Sequence, residues 1–301
     1  MPRQSPVDHR PAFRLPRDVW SGAALSGVLL AAATAQVGFG LLCFVALVPL
    51  LAAIDAGATV RRAAGAGWLC GIVFFGSALA WVPLSGFRGS LLAVAAAYVV
   101  VMGLSLAAYS AALAWLRQRD RWLCFALAPV LWAAVEFARS WGALGYPWHH
   151  LGYALASYPP LIQLAGVGGL YALSLWIAGV NTLVVGLAGA PRRVVLLSGA
   201  LVAAPLALGL PTPEVTEPAE TARVAAVQPH ISEPGRTVPA RFHANLRTLL
   251  DLTDEALRGE PDLIVWPESA YERPIRAGGD PFLGAIAHHY GTPILTGAWR
   301  V

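Results

Sequence analysis

Between Val19 and Leu210 the chain carries only three acidic residues, Asp55, Asp120 and Glu136, and one apolar run follows another almost without pause. A stretch this poor in charge is suited to lipid rather than water. Runs of about 20 apolar residues are long enough to cross a bilayer as helices, and helices satisfy their own backbone groups where no water is present. The other fourteen acids lie in the first 18 residues or after residue 213. The sequence therefore divides into a membrane part and a water-soluble part. Charged residues make up 13% of the whole and the mean hydropathy is +0.59, whereas an ordinary soluble domain carries about 25% charged residues.

Seven candidate spans fall at about 19–35, 37–54, 64–82, 90–115, 122–141, 161–188 and 194–210. The first could pass for a signal peptide with a cleavage-like Ala33-Thr34-Ala35, but the spans that follow favour an uncleaved first helix. All 21 basic residues are arginines. Those of the N-terminal tail, with Arg61-Arg62, Arg117, Arg119, Arg121 and Arg192-Arg193, fall in alternate loops, while the opposite loops hold Arg88 and, near a span end, Arg139. The positive-inside rule then puts residues 1–18 in the cytoplasm. Seven crossings carry the soluble part to the far side, which in a bacterium is the outer face of the inner (plasma) membrane. The net charge of +4 calls for no nucleic-acid partner. Cys43, Cys70 and Cys124 all sit in apolar spans at spacings that match no metal or redox motif.

Two features of the membrane part bear on function. Glu136 and Arg139 lie three apart on one helix face inside a span. An ionisable residue there is a candidate functional site, although a structural pair that orients the next loop is the plainer reading. That loop, Ser140–Pro160, is rich in Trp and Tyr and includes Tyr146, Trp148 and Tyr153. Such rings settle at the membrane–water boundary, as a belt or as an arm touching lipid. His149 and His150 are adjacent, so their side chains point apart, and no metal or cofactor is expected there.

Residues 211–221 form a polar, Pro-rich linker. From Ala222 the pattern is β-α-β-α-β: strands at Ala222–Gln228, Leu263–Trp266 and Pro293–Ala298, with helices at Pro239–Gly259 and Pro281–Tyr290. Strands alternating with helices imply a parallel sheet. Pro267 should end the second strand, leaving Glu268 just past a strand end, where open α/β sheets tend to place their chemistry.

Several stretches together resemble the bacterial apolipoprotein N-acyltransferases, membrane-bound members of the carbon–nitrogen hydrolase (nitrilase) superfamily. They are Gly38-Phe-Gly40 with Leu47-Val-Pro-Leu-Leu51, Glu136-Phe-Ala-Arg139, Gly145-Tyr-Pro-Trp148, Leu151-Gly-Tyr153, Ile162-Gln163, Gly169-Leu-Tyr171, Asn181, Val227-Gln228, Ile264-Val-Trp-Pro-Glu-Ser269 and Leu295-Thr-Gly297. The resemblance implies a polytopic α-helical membrane bundle followed by the first β-α-β-α-β part of a nitrilase-like α/β sandwich, residues 222–301. It implies a monomer that transfers an acyl chain from a phospholipid to the N-terminal diacylglyceryl-cysteine of an apolipoprotein. The reaction runs through a thioester and a Glu-Lys-Cys triad in which Glu268 is the general base. The sequence contains no Lys and no Cys after Cys124, so the chain resembles the family cut within its catalytic domain and alone is expected to be inactive. A non-catalytic membrane protein that keeps lipid or lipoprotein binding, or a related membrane amidase, is the alternative. A transporter is disfavoured, because the spans hold one ion pair rather than a polar pathway.

Overall fold

A computed structural model describes residues 18–35, 39–84, 89–142, 145–187, 196, 199, 202–203, 221–231, 241–268, 270–275 and 279–300. The chain forms two compact units, Met1–Pro213 and Glu214–Val301.

In the first unit, α1 (Val19–Thr34) starts where the Asp18 carboxylate accepts the Trp20 and Ser21 amides at 3.1 and 3.0 Å, a side-chain cap for otherwise orphan donors. After it comes a 3-10 turn, Gly40–Phe44, and then the two-turn helix α2 (Val48–Asp55). The stretch read from sequence as a second span is thus a broken segment. Next are α3 (Val60–Ala78), α4 (Trp81–Leu84), α5 (Ser90–Arg117) and α6 (Arg121–Arg139). A second 3-10 turn, Leu151–Leu155, leads to α7 (Pro159–Ile162) and α8 (Ala165–Gly186), which breaks at Gly168–Gly169, where Gly169 takes φ +64°.

Four helical stretches among the described residues are long and apolar enough to cross a membrane: Val60–Pro83, Leu91–Arg117, Arg121–Arg139 and Ala165–Gly186. Val19–Thr34 and Gly40–Asp55 are shorter apolar helices. The expected seventh span, 194–210, apart from residues 196, 199 and 202–203, lies outside the described residues, as do the tail 1–17 and nearly all of the 211–221 linker.

Lipid tails are as apolar as leucine, so helices in a bilayer associate through close packing of small residues. The α3 helix follows this rule. A Cβ on Gly71 would lie 2.6 Å from the Gly103 Cα of α5, and one on Gly67 would strike the Leu106 carbonyl. At one end of the bundle Asp55, the last residue of α2, accepts from Arg117 Nε at 2.6 Å and from Arg121 Nε and Nη2 at 3.0 and 2.9 Å. This ties the broken segment to the α5–α6 turn.

The second unit contains a parallel sheet in the order β1 (Val224–Ala226), β2 (Leu263–Val265), β4 (Ile294–Leu295). Helix α9 (Phe242–Leu257) connects β1 to β2, and α10 (Pro281–Tyr290) precedes β4. Val227, Leu249, Ile264, Trp266 and Ile286 form their shared core. An added parallel pair, β3 (Tyr271–Ile275) with β5 (Ala298–Arg300), accounts for one departure from expectation. The expected strand Pro293–Ala298 divides at Thr296-Gly297 and serves two sheets. The strands alternate as a pleat requires: Ile264 is buried, while Val224 and Leu295 are 56% and 59% exposed.

Candidate functional site

The C-terminal turn of α6 fixes the loop that follows it. Glu136 is 2% exposed. Its Oε1 accepts from Trp132 Nε1 at 2.9 Å and from the Leu151 amide at 2.7 Å, and lies 3.7 Å from Arg139 Nη2. Arg139 Nη2 donates to the His149 carbonyl at 2.9 Å, and its guanidinium carbon sits 5.1 Å from the Phe75 ring centre, within cation–π range. Ser140 Oγ donates to the Glu136 carbonyl at 2.7 Å and meets His150 Nε2 at 2.9 Å. The hydroxyl proton is used on the carbonyl, so Nε2 carries the imidazole proton and donates to Ser140. From α8, Ser174 Oγ accepts the Gly152 amide at 3.0 Å. Four consecutive residues, 149 to 152, are therefore each held by a bundle side chain, and His149 adopts φ +56°, a conformation that non-glycine residues rarely take.

Just outside this clamped quartet the loop walls a cavity of about 670 Å³. Trp148, His149, Tyr153 and Tyr158 form one side, and Thr34 and Gly40 contribute from the end of α1 and the first 3-10 turn. The volume is in the range of ligand sites. Trp148 and Tyr153 are 57% and 48% exposed. Tyr146 behaves otherwise. It is buried, its hydroxyl lies 2.9 Å from His149 Nδ1, and its ring packs edge-on to Tyr98 and Phe75. Of the three arm residues singled out from sequence, two line the cavity and Tyr146 supports them from behind. Burial first, then the positive charge of Arg139 and the neighbouring His149, pushes the His150 imidazole down to about 4.

The polar residues that set this geometry were only partly visible in the sequence. Asn181, two turns beyond Ser174 on α8, accepts the Leu47 amide at 2.8 Å and donates to the Cys43 and Ile177 carbonyls at 2.8 Å. Ser26 Oγ accepts the Leu50 amide at 3.0 Å. Between them they satisfy backbone groups that the break before α2 leaves open.

In the second unit, Trp266 is buried and its indole donates to Thr253 Oγ1 at 3.0 Å, which pins the end of β2 to α9. Glu268 follows in a turn closed by the Ala270 amide on the Pro267 carbonyl and is exposed. The unit's groove between α9 and α10, about 560 Å³ and lined by Arg247, Asp251, Asp254 and His289, does not include Glu268. Among the described residues, no three His, Cys, Asp or Glu side chains cluster as metal ligands.

The first unit is thus a helical membrane protein in which one loop, bound to buried polar groups of the bundle, walls a partly aromatic cavity. Residues 26–183 match the family model described as the apolipoprotein N-acyltransferase N-terminal domain, and the chain belongs to the apolipoprotein N-acyltransferase family. An apolipoprotein N-acyltransferase of Geobacter metallireducens is 31% identical over 271 residues, covering 85% of this chain and 52% of the relative. That of Azotobacter vinelandii is 34% identical over 271 residues, covering 84% and 52%. That of Pseudomonas paraeruginosa is 30% identical over 305 residues, covering 93% and 58%. The chain spans about half the length of the curated relatives it matches.

Proposed function

We propose that this chain supplies the membrane bundle, the lipid-contacting arm and the first catalytic carboxylate of an apolipoprotein N-acyltransferase. In this reading seven spans leave residues 1–18 in the cytoplasm and residues 211–301 outside it, at the bacterial inner membrane. A phospholipid is the acyl donor and the amino group of a diacylated apolipoprotein the acceptor. Glu268 takes the proton of a thiol, the thiolate attacks the ester carbonyl to give a thioester and release a lysophospholipid, and the free amine then displaces the thiolate to form the amide. The thiol and the Lys that would stabilise the oxyanion have no counterpart here, since the sequence holds no Lys and no Cys beyond Cys124. In this reading the chain alone is a monomer that holds lipid at the arm, and without the thiol it forms no thioester.

The observation that carries this reading is the cavity walled by Trp148 and Tyr153 within the stretch that matches the family model. Incubating the purified chain with acyl-labelled phosphatidylethanolamine tests it. Lipid should be retained at the arm, reduced roughly tenfold by the pair Trp148→Ala and Tyr153→Ala, and no hydroxylamine-labile label should remain on the protein. A labile acyl-protein would overturn the inactive reading, and lipid binding indifferent to both rings would overturn the arm's role. A second reading, a non-catalytic membrane protein that keeps lipid or lipoprotein binding, is favoured by the exposure of Glu268 in this chain.

A further inference from the structure

We propose that Glu136 and Ser174 are positioning residues for lipid capture: their bonds to the Leu151 and Gly152 amides hold Trp148 and Tyr153 at the cavity wall. The proposal rests on the lipid-binding reading above. The clamped residues 149 to 152 lie in sequence between Trp148 and Tyr153, so whatever fixes the quartet fixes where both rings begin.

The chemistry of the clamp makes a specific demand. Glu136 Oε1 serves two buried donors, the Leu151 amide and the Trp132 indole. Both need an acceptor oxygen, and neither needs a charge. Glu136 Oε2 and Arg139 Nη1 are buried without a hydrogen-bond partner, so the ion pair is incompletely used. Burying a half-satisfied carboxylate is costly, and a neutral amide at the same place keeps an acceptor for both donors, so it should position the loop as well even though it leaves the buried Arg139 without its counter-charge. A purely electrostatic staple would behave in the opposite way, failing once the charge is removed. Glu136→Gln and Glu136→Leu separate the two.

The experiment uses the full chain in nanodiscs of phosphatidylethanolamine and phosphatidylglycerol. Spin labels at Ala35→Cys and Pro160→Cys flank the cavity. The native cysteines Cys43, Cys70 and Cys124 are buried, so the parent chain should take up no label. The distance distribution between the labels reports loop position. A phosphatidylethanolamine with a diazirine on one acyl chain, crosslinked by light and read by mass spectrometry of the 141–158 region, reports lipid at the arm. Thermal melting reports folding separately.

The parent chain should give a narrow distribution and clear crosslinking. Glu136→Gln should keep the distribution narrow and the crosslinking within twofold. Glu136→Leu should broaden it and lower crosslinking at least fivefold while the bundle still melts cooperatively. If Glu136→Leu does not fold, Ser174→Ala, which removes the Gly152 acceptor and the hydroxyl that Ser174 presents to Glu136, should lower crosslinking two- to threefold. A folded Glu136→Leu with unchanged crosslinking overturns the proposal, as does Glu136→Gln behaving like Glu136→Leu, or an unaltered Ser174→Ala where it is the variant used. No crosslinking in the parent chain overturns the lipid-binding reading instead, and the spin labels still report whether Glu136 positions the loop.

Discussion

At the scale of single residues, the candidate site depends on polar atoms kept out of water. His150 is buried near the positive charge of Arg139, and both hold the imidazole neutral, with Nε2 against Ser140 Oγ. Its folded pKa of about 4 lies below the ordinary imidazole value near 6.5, so the unfolded chain binds more protons between those limits. The stability it contributes is present in full above about pH 6.5 and is lost as the pH falls toward 4, with a slope of up to about 1.4 kcal/mol per pH unit. Melting the parent chain and His150→Asn across that window should show the slope in the first and a flatter profile in the second. An identical pH dependence would refute the assignment. Glu136 and Arg139 could be singled out from sequence because ionisable residues in an apolar run stand out. Their partners could not, since the acceptors and donors are backbone groups 10 and 15 residues away that no side-chain pattern encodes.

At the scale of elements, the long helices and the β-α-β order were legible because apolar runs and strand–helix alternation carry them. The break in the segment Gly40–Asp55 was not. The residues at the break, Val45, Ala46 and Leu47, are ordinary apolar side chains, and Pro49 in the first turn of α2 is the one local signal of a new helix start. What maintains the break is tertiary, a pair of caps supplied by Asn181 and Ser26. The two 3-10 turns also meet closely. A Cβ on Gly40 would run into the Ala154 carbonyl and lie 2.8 Å from the Tyr158 ring. Gly40→Ala must push the second turn and its aromatic residues away. We expect a loss of about 1–3 kcal/mol, the usual cost of overpacking, together with weaker lipid crosslinking at the arm. A variant as stable as the parent, with full crosslinking, would show that the two turns yield to each other. The division of the expected last strand at Thr296-Gly297 was likewise illegible, because pairing partners rather than composition decide where a strand changes sheet.

At the scale of the whole molecule, the two units differ in how their apolar surface is covered. The membrane unit is built to show side chains to lipid. The second unit leaves Val224 and Leu295 exposed on a sheet of three short strands. Apolar surface left in water costs roughly 25 cal/mol per Å², and unprotected strand edges recruit other chains. Residues 222–301 expressed alone should aggregate or bind hydrophobic dye as a loosely packed state; a sharp, monomeric thermal transition would contradict this.

The caps of the broken segment also bear on how the protein is made. The acceptor for the Leu47 amide, Asn181, is synthesised 134 residues later. At usual translation speeds of about 5–20 residues per second that delay is about 7 to 27 seconds. Through that interval the break must stay near water, or within the insertion machinery, rather than among lipid tails, where an unpaired amide is costly. The N-terminal helices are therefore laid down provisionally, and the bundle closes only when α8 emerges.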